Sequence, residues 1–316
     1  MQEQDTDGFN AGSFYAAFTE ECARLGLDGP GILPADRVTL LDETDSTNTR
    51  LLSLLDGGGP LLDADGHLTD RGRGMSYRLV AAASQTAGRG RIGRRFWSPG
   101  GSGIYFSFAY VPEGGITDPG RLTAAAAVGV CRAADFLYGI RAGIKWVNDV
   151  YAGGRKVSGI LTEGWAPATT EGSPALVQAA VVGIGVNIRA GSFLPEELSA
   201  KAGGIADEAV RLGCPPDRAA SVTRTRLLAS CMAHILGILT VGEDIRDEYA
   251  SRSILTGREV TVIPLVGDER NRYRARVQGI GSGLGLVVRT QDGEERLLSG
   301  GEVSLELGPA ASGLPS

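Results

Sequence analysis

The chain has 316 residues, of which 42% are hydrophobic and 22% are charged, and its formal net charge at pH 7 is −6. This length predicts about two domains, and the near-average composition excludes a chain that is disordered throughout. The negative charge argues against bulk nucleic-acid binding, because counterion release requires a positive protein face. The acidic N-terminus does not resemble a signal peptide and no apolar run has membrane-spanning length, so we expect a soluble, cytoplasmic protein.

The N-terminal part of the chain predicts a helix followed by a strand and a second helix. Apolar residues at helical spacing cover residues 13–27, and a Gly-Pro-Gly sequence ends this helix, so residues 1–35 are interpreted as an N-terminal extension. A strand is predicted over residues 37–41, and Asp45-Ser46-Thr47 offers N-cap residues for the next helix. Residues 56–76 contain six glycines and no apolar periodicity, which predicts a long, mobile loop.

The middle of the chain alternates strands with helices and predicts a mixed α/β domain over residues 36–253. An Ala-rich helix is expected over residues 119–138, a long helix over 217–240 and a short one over 244–251. The predicted strands cover residues 78–83, 103–110, 143–146, 156–163 and 175–186.

The pattern changes after Gly257 to short strands separated by Gly turns. Five such strands within about 50 residues predict a small SH3-like barrel over residues 254–307. Residues 308–316 are expected to be a disordered tail.

Histidine and cysteine placement excludes several classes of enzyme. The four cysteines are widely spaced, so neither metal-binding pairs nor a disulfide framework is predicted. His67 lies in a Gly/Asp-rich stretch, and His234 lies inside a helical apolar pattern, where a packed helix residue is expected. Because the sequence has neither an HExxH motif nor a Ser/His/Asp set, it does not predict a zinc hydrolase or a hydrolase with a catalytic triad.

The loop GRGRIGRRFWSPGG carries an unusual concentration of charge. Its glycines match G-x-G-x-x-G, but Pro99 and the following glycines exclude the helix that a dinucleotide-binding fingerprint requires. Four arginines within seven residues on a glycine-rich backbone instead suit a polyanion, and a solvated basic loop is the alternative. These arginines are Arg89, Arg91, Arg94 and Arg95.

Two further segments add polar groups at strand ends. KWVND, residues 145–149, brings an ammonium, an amide and a carboxylate together, a set that can hold phosphate and Mg²⁺. Lys156 follows across a Gly-Gly turn on a strand predicted to pair back as a hairpin. The strand VGIGVNI exposes backbone at its glycines for a flat ligand such as adenine, with Asn187 at its end.

The order of these motifs, DSTN, QTAGRGRIGR, WSP, KWVND, KVSGIL and GIGVN, resembles that of biotin protein ligases from about Val38 to Leu307. The resemblance implies an α/β fold, with a catalytic domain of mixed sheet similar to class II aminoacyl-tRNA synthetases plus the SH3-like barrel. It implies that biotin and ATP, with Mg²⁺, give biotinyl-5′-AMP, and that biotin then passes to one lysine of a biotin carboxyl carrier protein or domain of a carboxylase.

The same resemblance assigns roles to individual residues. Lys145, Lys156, Arg89, Arg91 and Asp149 are the expected catalytic residues, with Asp149 as the candidate acceptor of the carrier lysine's proton. Arg91, Lys145, Asn148 and Asn187 are expected at ATP. The expected biotin pocket comprises Ser46, Thr47, Asn48, Gln85, Arg89, Gly90, Arg91, Lys156, Gly159, Ile160 and Leu161, although Ser46 to Asn48 also fit plain helix capping.

Departures from the family pattern leave alternatives open. Phe96 stands where the family usually has Trp, with Trp97 next to it, and Val147 replaces a proline. About 35 residues before the catalytic domain are too few for a winged helix, so DNA is not an expected partner. A membrane is not expected either, because no apolar run is long enough to span one, and a homodimer is possible. A lipoate or octanoate ligase, which would lack the GRGRxGR loop, is one alternative. A biotin-responsive regulator or inactive sensor is another.

Overall fold

The computed structural model describes residues 9–167, 176–190, 195–264, 272–300 and 303–307. Its larger sheet contains seven strands: β1 (Val38–Thr44), β2 (Leu79–Gln85), β3 (Gly103–Tyr110), β4 (Gly143–Lys145), β5 (Asp149–Ala152), β6 (Arg155–Trp165) and β7 (Ala179–Asn187). Their order is β1-β2-β3-β7-β6-β5-β4. β1 and β2 are parallel and the other neighbours are antiparallel, which confirms the predicted mixed α/β fold.

The described residues also form the helices α1 (Ala11–Arg24), α2 (Gly29–Ile32), α3 (Thr47–Asp56), α4 (Asp70–Met75), α5 (Pro119–Tyr138), α6 (Glu196–Ser199), α7 (Ile205–Arg211), α8 (Pro216–Ser221), α9 (Arg224–Val241) and α10 (Arg246–Ser251). Helices α1, α3, α5, α7 and α9 pack against the larger sheet. The predicted bounds of α5 are confirmed. Small residues let α5 approach α9 closely: a Cβ at Gly129 would lie 2.4 Å from Ile235 Cγ1.

The prediction of one helix over residues 217–240 is wrong, because the chain forms α8 and α9 with a break between them. Val222 is extended (φ −79°, ψ 104°), and the Thr223 side chain accepts a hydrogen bond from the Arg226 amide as the N-cap of α9. A capping threonine after a β-branched residue favours a new helix start. By length and composition α9 could cross a membrane, but most of it is buried inside the protein.

The predicted loop over residues 56–76 is also wrong in part, since this segment packs against the main sheet. Leu61 and Leu62 are buried, and both of their amides donate to Gln178 Oε1, at 2.8 and 3.1 Å. α4 closes the segment and begins at the Thr69 cap. A Cβ at Gly72 would lie 2.1 Å from the Leu61 carbonyl oxygen, so a glycine here serves close packing rather than mobility.

A second, antiparallel sheet follows, and all five predicted C-terminal strands are confirmed. They are β8 (Glu259–Pro264), β9 (Tyr273–Ile280), β10 (Leu286–Thr290), β11 (Glu295–Leu298) and β12 (Val303–Leu307), in the order β11-β10-β9-β8-β12. Alternate residues such as Val260, Val262 and Val277 are buried on one face. Closure into an SH3-like barrel and the boundary near residue 253 stay predictions. The expected disordered tail, 308–316, lies outside the described residues.

Candidate functional site

A pocket lies beside the centre of the larger sheet, between the start of α3, the Gly/Arg loop (GRGRIGRRFWSPGG, residues 88–101) and strands β6 and β7. It brings together most of the residues singled out in the sequence. These are Ser46, Thr47, Asn48, Gln85, Arg89, Gly90, Arg91, Asn148, Lys156, Gly159, Ile160 and Leu161.

One end of the pocket is a network of neutral polar groups at the N-terminus of α3. Ser46 occupies the N-cap position but its side chain makes no capping hydrogen bond, so plain capping does not explain this residue. The Thr47 amide donates to Gln85 Oε1 at 2.9 Å, and Gln85 Nε2 donates to Ser98 Oγ at 3.0 Å. Ser107 Oγ lies 2.6 Å from Thr47 Oγ1. The network fixes these groups in place before any ligand arrives.

Asn48 is held from three sides and is buried. Its Oδ1 lies 2.6 Å from Ser107 Oγ, and its Nδ2 donates to Glu163 Oε2 at 2.8 Å. Gly183 on β7 approaches so closely that a Cβ there would lie 2.0 Å from Asn48 Oδ1. Asn48 therefore depends on a strand position without a side chain.

The Gly/Arg loop folds back on itself as a tight hairpin. The Gly90 amide donates to the Arg94 carbonyl at 2.7 Å, and Arg89 forms an isolated bridge with Arg95. Ile92 at the tip adopts a left-handed conformation (φ 58°, ψ 42°). The described residues 94–103 form no α-helix, as expected, so the loop is not a dinucleotide fingerprint.

Two of the loop arginines are committed to partners at the pocket. Arg89 Nη2 lies 2.7 Å from Glu163 Oε1. Arg91 Nη1 donates to Asn148 Oδ1 at 3.1 Å, and its Nη2 donates to the Gly300 carbonyl in the turn after β11. Burial lowers the pKa of the Arg91 guanidinium, while the Asp149 carboxylate opposes that change. The solvated-loop alternative therefore fails for Arg91, which is partly buried, whereas Arg89 is exposed beside its ion-pair partner.

A second cavity of about 730 Å³ lies between the two sheets and shares a wall with the pocket. Arg91, Asn148, Ile160 and Leu161 line both spaces. Asn148 Nδ2 donates to the Ile160 carbonyl at 2.8 Å, which fixes the amide that receives Arg91. The Arg91–Asn148 contact thus forms part of the partition between the two cavities.

The predicted β5–β6 hairpin is confirmed, and it carries the cationic end of the pocket. Lys156 Nζ lies 2.5 Å from Asp149 Oδ1. Lys145 pairs with Asp149 in the β4–β5 register but is not among the described residues that line either cavity. Asn187 is buried at the end of β7 opposite Gly103, and it too is not brought to the lining.

Phe96, rather than Trp97, is the aromatic side chain at the pocket. Trp97 is 38% exposed and lies beside Arg95. The Phe96 ring lies against bare backbone on two strands, because a Cβ would lie 3.0 Å from it at Gly159 and 2.5 Å from it at Gly185. The Gly-interrupted strand β7 thus faces an aromatic ring where the sequence suggested a flat ligand.

Sequence reasoning missed residues that hold the pocket lining in place. Ser107 is a lone polar residue within the buried strand GIYFSFAY, and that contrast is the signal that could have revealed it. Glu163 belongs to none of the motifs. Its partners Asn48 and Arg89 are distant in sequence, so no local pattern indicated these contacts. Gly183 and Gly185 were singled out only as bare backbone.

No dedicated metal cage is present within the described part of the chain, where no group of three or more His, Cys, Asp or Glu side chains converges. Neither histidine lines the pocket. His67 lies on the surface beside Glu113, whereas His234 is buried in α9, as expected, and burial lowers its pKa to about 4.

Comparison with known proteins supports the resemblance found in the sequence. Residues 73–187 match the model of the biotin/lipoate A/B protein ligase family. Over 121 residues the chain is 39% identical to the bifunctional ligase/repressor BirA of Bacillus spizizenii, covering 38% of this chain and 35% of that protein. It is 29% identical over 230 residues to the biotin–[acetyl-CoA-carboxylase] ligase of Mycobacterium tuberculosis, covering 72% of this chain and 74% of that protein.

A solved structure shows the same fold. The biotin protein ligase from Aquifex aeolicus in complex with biotin and ATP superimposes with a TM-score of 0.64 at 24% identity, over 86% of this chain and 99% of that one. The chain spans about a third of the length of the two BirA proteins that it matches. The resemblance found in the sequence is confirmed, and the match to the family model covers residues 73–187.

Proposed function

We propose that this protein activates biotin with ATP to biotinyl-5′-AMP and transfers biotin to one lysine of a biotin carboxyl carrier protein or domain. The observation that carries the proposal is a single pocket with a neutral polar network at one end and Arg91 and Lys156 at the other. Biotin has a neutral ureido group at one end and a carboxylate at the other. The polar groups at the two ends of the pocket therefore match the chemistry of the two ends of biotin.

The neutral end suits the ureido group, which offers two N–H donors and a carbonyl acceptor. Thr47, Asn48 and Gln85 present hydroxyl and amide groups there, and the network through Ser107 holds two of them in fixed orientation. A site that hydrogen-bonds a polar group rejects analogues without it, because its own buried polar groups are then left unpaired. The dithiolane ring of lipoate has no such group, so this end favours biotin over the lipoate alternative.

The cationic end suits attack of the biotin carboxylate on the α-phosphate of ATP. Both reactants are anions, so alignment and charge neutralisation by Arg91 and Lys156 are the main requirements, and the nucleophile needs no general base. Lys145 and Asn187 lie outside the pocket lining, so our assignment of them to the nucleotide rests on the family resemblance alone. Mg²⁺ would neutralise phosphate charge, held by phosphate oxygens together with a carboxylate such as Asp149.

In the transfer step a neutral carrier lysine attacks the acyl carbonyl, an amide bond forms and AMP leaves. Asp149 is our candidate for the proton acceptor: it lines neither cavity, but its Oδ1 lies 2.5 Å from Nζ of Lys156, which lines the pocket. The carrier is the proposed macromolecular partner, in the cytoplasm. We propose that DNA is not a partner, because a net charge of −6 opposes binding to a polyanion.

The test is ATP-dependent transfer of labelled biotin to a purified carrier domain, with lipoate as the competing acid. We expect biotin to be transferred and lipoate to be ignored. Lys156→Gln should abolish adenylate formation, whereas Lys201→Gln, which removes an exposed lysine outside the pocket, should leave it unchanged. Preferential activation of lipoate or octanoate would support the alternative ligase, and no activation of any acid would support an inactive sensor.

A further inference from the structure

A tyrosine far from the site in sequence contacts the KWVND segment directly. Tyr249 lies in α10 and is fully buried, and its hydroxyl donates to the Val147 carbonyl at 2.9 Å. The two residues are 102 positions apart in the chain. Tyr249 does not line either cavity, so the group that it can influence is the KWVND backbone.

The segment that carries Tyr249 is joined to β4 by backbone hydrogen bonds. The Ile144 amide donates to the Arg252 carbonyl at 2.7 Å, and the Ile254 amide donates to the Ile144 carbonyl at 2.9 Å. The Arg252 side chain also donates to the Ala142 carbonyl at 3.1 Å. The end of α10 therefore holds the strand that leads into KWVND.

Ion pairs fix α10 against the helices behind the sheet. Arg252 Nη2 lies 2.6 Å from Asp135 Oδ2 and 2.9 Å from Glu248 Oε1. Arg132 on α5 lies 2.6 Å from Glu248 Oε2. A partly buried, charge-assisted network of this kind is stiffer than an isolated surface pair. Tyr249 thus donates its hydrogen bond from a rigid support.

The Val147 carbonyl adjoins the residue that anchors the loop arginine. Asn148 follows it, donates to the Ile160 carbonyl and accepts from Arg91. We propose that Tyr249 is a positioning residue, whose hydroxyl holds the Val147 carbonyl so that Asn148 keeps Arg91 over the reaction intermediate. This inference rests on the proposed function and assigns a role to a residue outside every motif of the sequence.

The chemistry of the hydroxyl suits this task. Burial raises the pKa of Tyr249 well above its usual value. The hydroxyl therefore stays protonated and remains a hydrogen-bond donor throughout the physiological pH range. Removing the hydroxyl leaves the partly buried Val147 carbonyl without this partner, and the local chain must shift to recover a hydrogen bond. Any such shift is transmitted to Asn148 through the adjoining peptide bond.

The test compares Tyr249→Phe with Tyr151→Phe. Tyr151 lies on β5, two residues from Asp149, and its hydroxyl makes no hydrogen bond to any residue that the structure describes, so it is the matched control. We expect Tyr249→Phe to release preformed biotinyl-5′-AMP roughly fivefold faster, which corresponds to the loss of one hydrogen bond of about 1 kcal/mol. Tyr151→Phe should release it at the wild-type rate.

A double-mutant cycle separates positioning from general destabilisation. In an Arg91→Gly background there is no guanidinium to position, so Tyr249→Phe should add no further increase in the release rate. Equal release by the two Tyr→Phe variants, or additive effects with Arg91→Gly, would overturn the inference. A wild-type protein that forms no adenylate would instead overturn the proposed function.

Amide hydrogen exchange tests the positioning role of Tyr249 even if the wild-type protein forms no adenylate, because the measurement does not require enzymatic activity. In Tyr249→Phe the amides of residues 146–149 should exchange faster than in Tyr151→Phe, and equal exchange in the two variants counts against positioning.

Discussion

Single residues in the pocket act through contacts that cross strands. Asn48 is fixed by Ser107 on β3 and Glu163 on β6, and Gly183 on β7 leaves the space that it occupies. Every oxygen and nitrogen of the Asn48 amide is thereby given a defined orientation. The orientation of the polar groups at the neutral end of the pocket therefore depends on the neighbouring strands as well as on the DSTN motif.

Gly183→Ala should therefore weaken biotin binding, although the substitution adds only one methyl group. The new Cβ would lie 2.0 Å from Asn48 Oδ1, so the amide must move away from Ser107 and Glu163. Losing one or two hydrogen bonds of about 1 kcal/mol each lowers affinity roughly 5- to 30-fold. Calorimetric titration with biotin measures the effect.

Gly100→Ala is the control for this experiment, because its Cβ would lie 3.9 Å from the nearest heavy atom, Ser84 Cβ. It should bind biotin as the wild type does. If Gly183→Ala kept wild-type affinity while remaining folded, Asn48 would have no part in binding.

At the residue scale, sequence motifs predicted which side chains surround the pocket but not how they are held. Contiguous motifs such as DSTN and KVSGIL place their members on one element, so proximity follows from the spacing. Ser107 and Glu163 meet Asn48 only through sheet register, which no local pattern encodes. Asn187 was expected at the nucleotide because of its motif; it lies at the end of β7 in register with Gly103 and lines neither cavity, so its role stays a prediction.

At the scale of elements, α9 brings a buried histidine against α1. His234 Nε2 lies 3.3 Å from Arg24 Nη2, and Arg24 in turn lies 2.8 Å from Glu21. Burial is the main reason that the pKa of His234 falls to about 4, and the Arg24 and Arg132 charges add to it. The neutral ring accepts a hydrogen bond from Arg24, so protonation would place two cations in contact.

This arrangement predicts acid sensitivity of the fold. Between pH 6.5 and 4 the unfolded chain binds a proton at this histidine that the folded protein excludes, so stability is present above pH 6.5 and is lost as pH falls. The His234 contribution to the free energy of unfolding should decrease by about 2 kcal/mol from pH 7.5 to pH 5. Urea unfolding at the two pH values measures it.

His234→Gln supplies the comparison, since it keeps a polar side chain that does not titrate. Its free energy of unfolding should fall less than that of the wild type over the same pH interval. Equal pH dependence in the two proteins would mean that His234 is not excluded from protonation in the folded state.

Element boundaries were predictable where a single pattern dominated. Pro119 and Gly139 bracket α5, and regular alternation marks β9, so both were placed correctly. The break before α9 depends on the Thr223 cap inside a continuous apolar periodicity, which hides it. The packing of residues 61–62 depends on Gln178, more than 100 residues away, and glycine content alone suggested a loop.

For the whole molecule, the two sheets meet at the site. Trp146 Nε1 donates to the Leu284 carbonyl at 2.9 Å, and Arg91 donates to the Gly300 carbonyl. Arg91 is thus held by both sheets, and it forms part of the wall between the pocket and the larger cavity. Loss of Arg91 should loosen the enclosure of the intermediate more than loss of any exposed charge on the same loop.

Arg91→Gly should release preformed biotinyl-5′-AMP faster by about one to two decades. The variant removes charge-assisted hydrogen bonds, worth roughly 1.5–3 kcal/mol, and each 1.4 kcal/mol is tenfold in rate or affinity. Stopped-flow displacement of the preformed intermediate measures the release. Arg94→Gly is the matched control, because Arg94 is an exposed arginine on the same loop and does not line either cavity.

Biotinyl-5′-AMP that escapes from the site should also biotinylate the protein that produced it. The chain contains three lysines, Lys145, Lys156 and Lys201, and of these Lys201 is the exposed one. A free acyl adenylate reacts with accessible amines. Mass spectrometry of Arg91→Gly incubated with biotin and ATP should therefore find biotin on Lys201. The double variant Arg91→Gly, Lys201→Arg should lose that signal. Arg94→Gly should show the low labelling of the wild type. Equal release and equal labelling in the two loop variants would mean that the intermediate is retained by the loop as a whole, and that the contacts of Arg91 with Asn148 and Gly300 do not retain it.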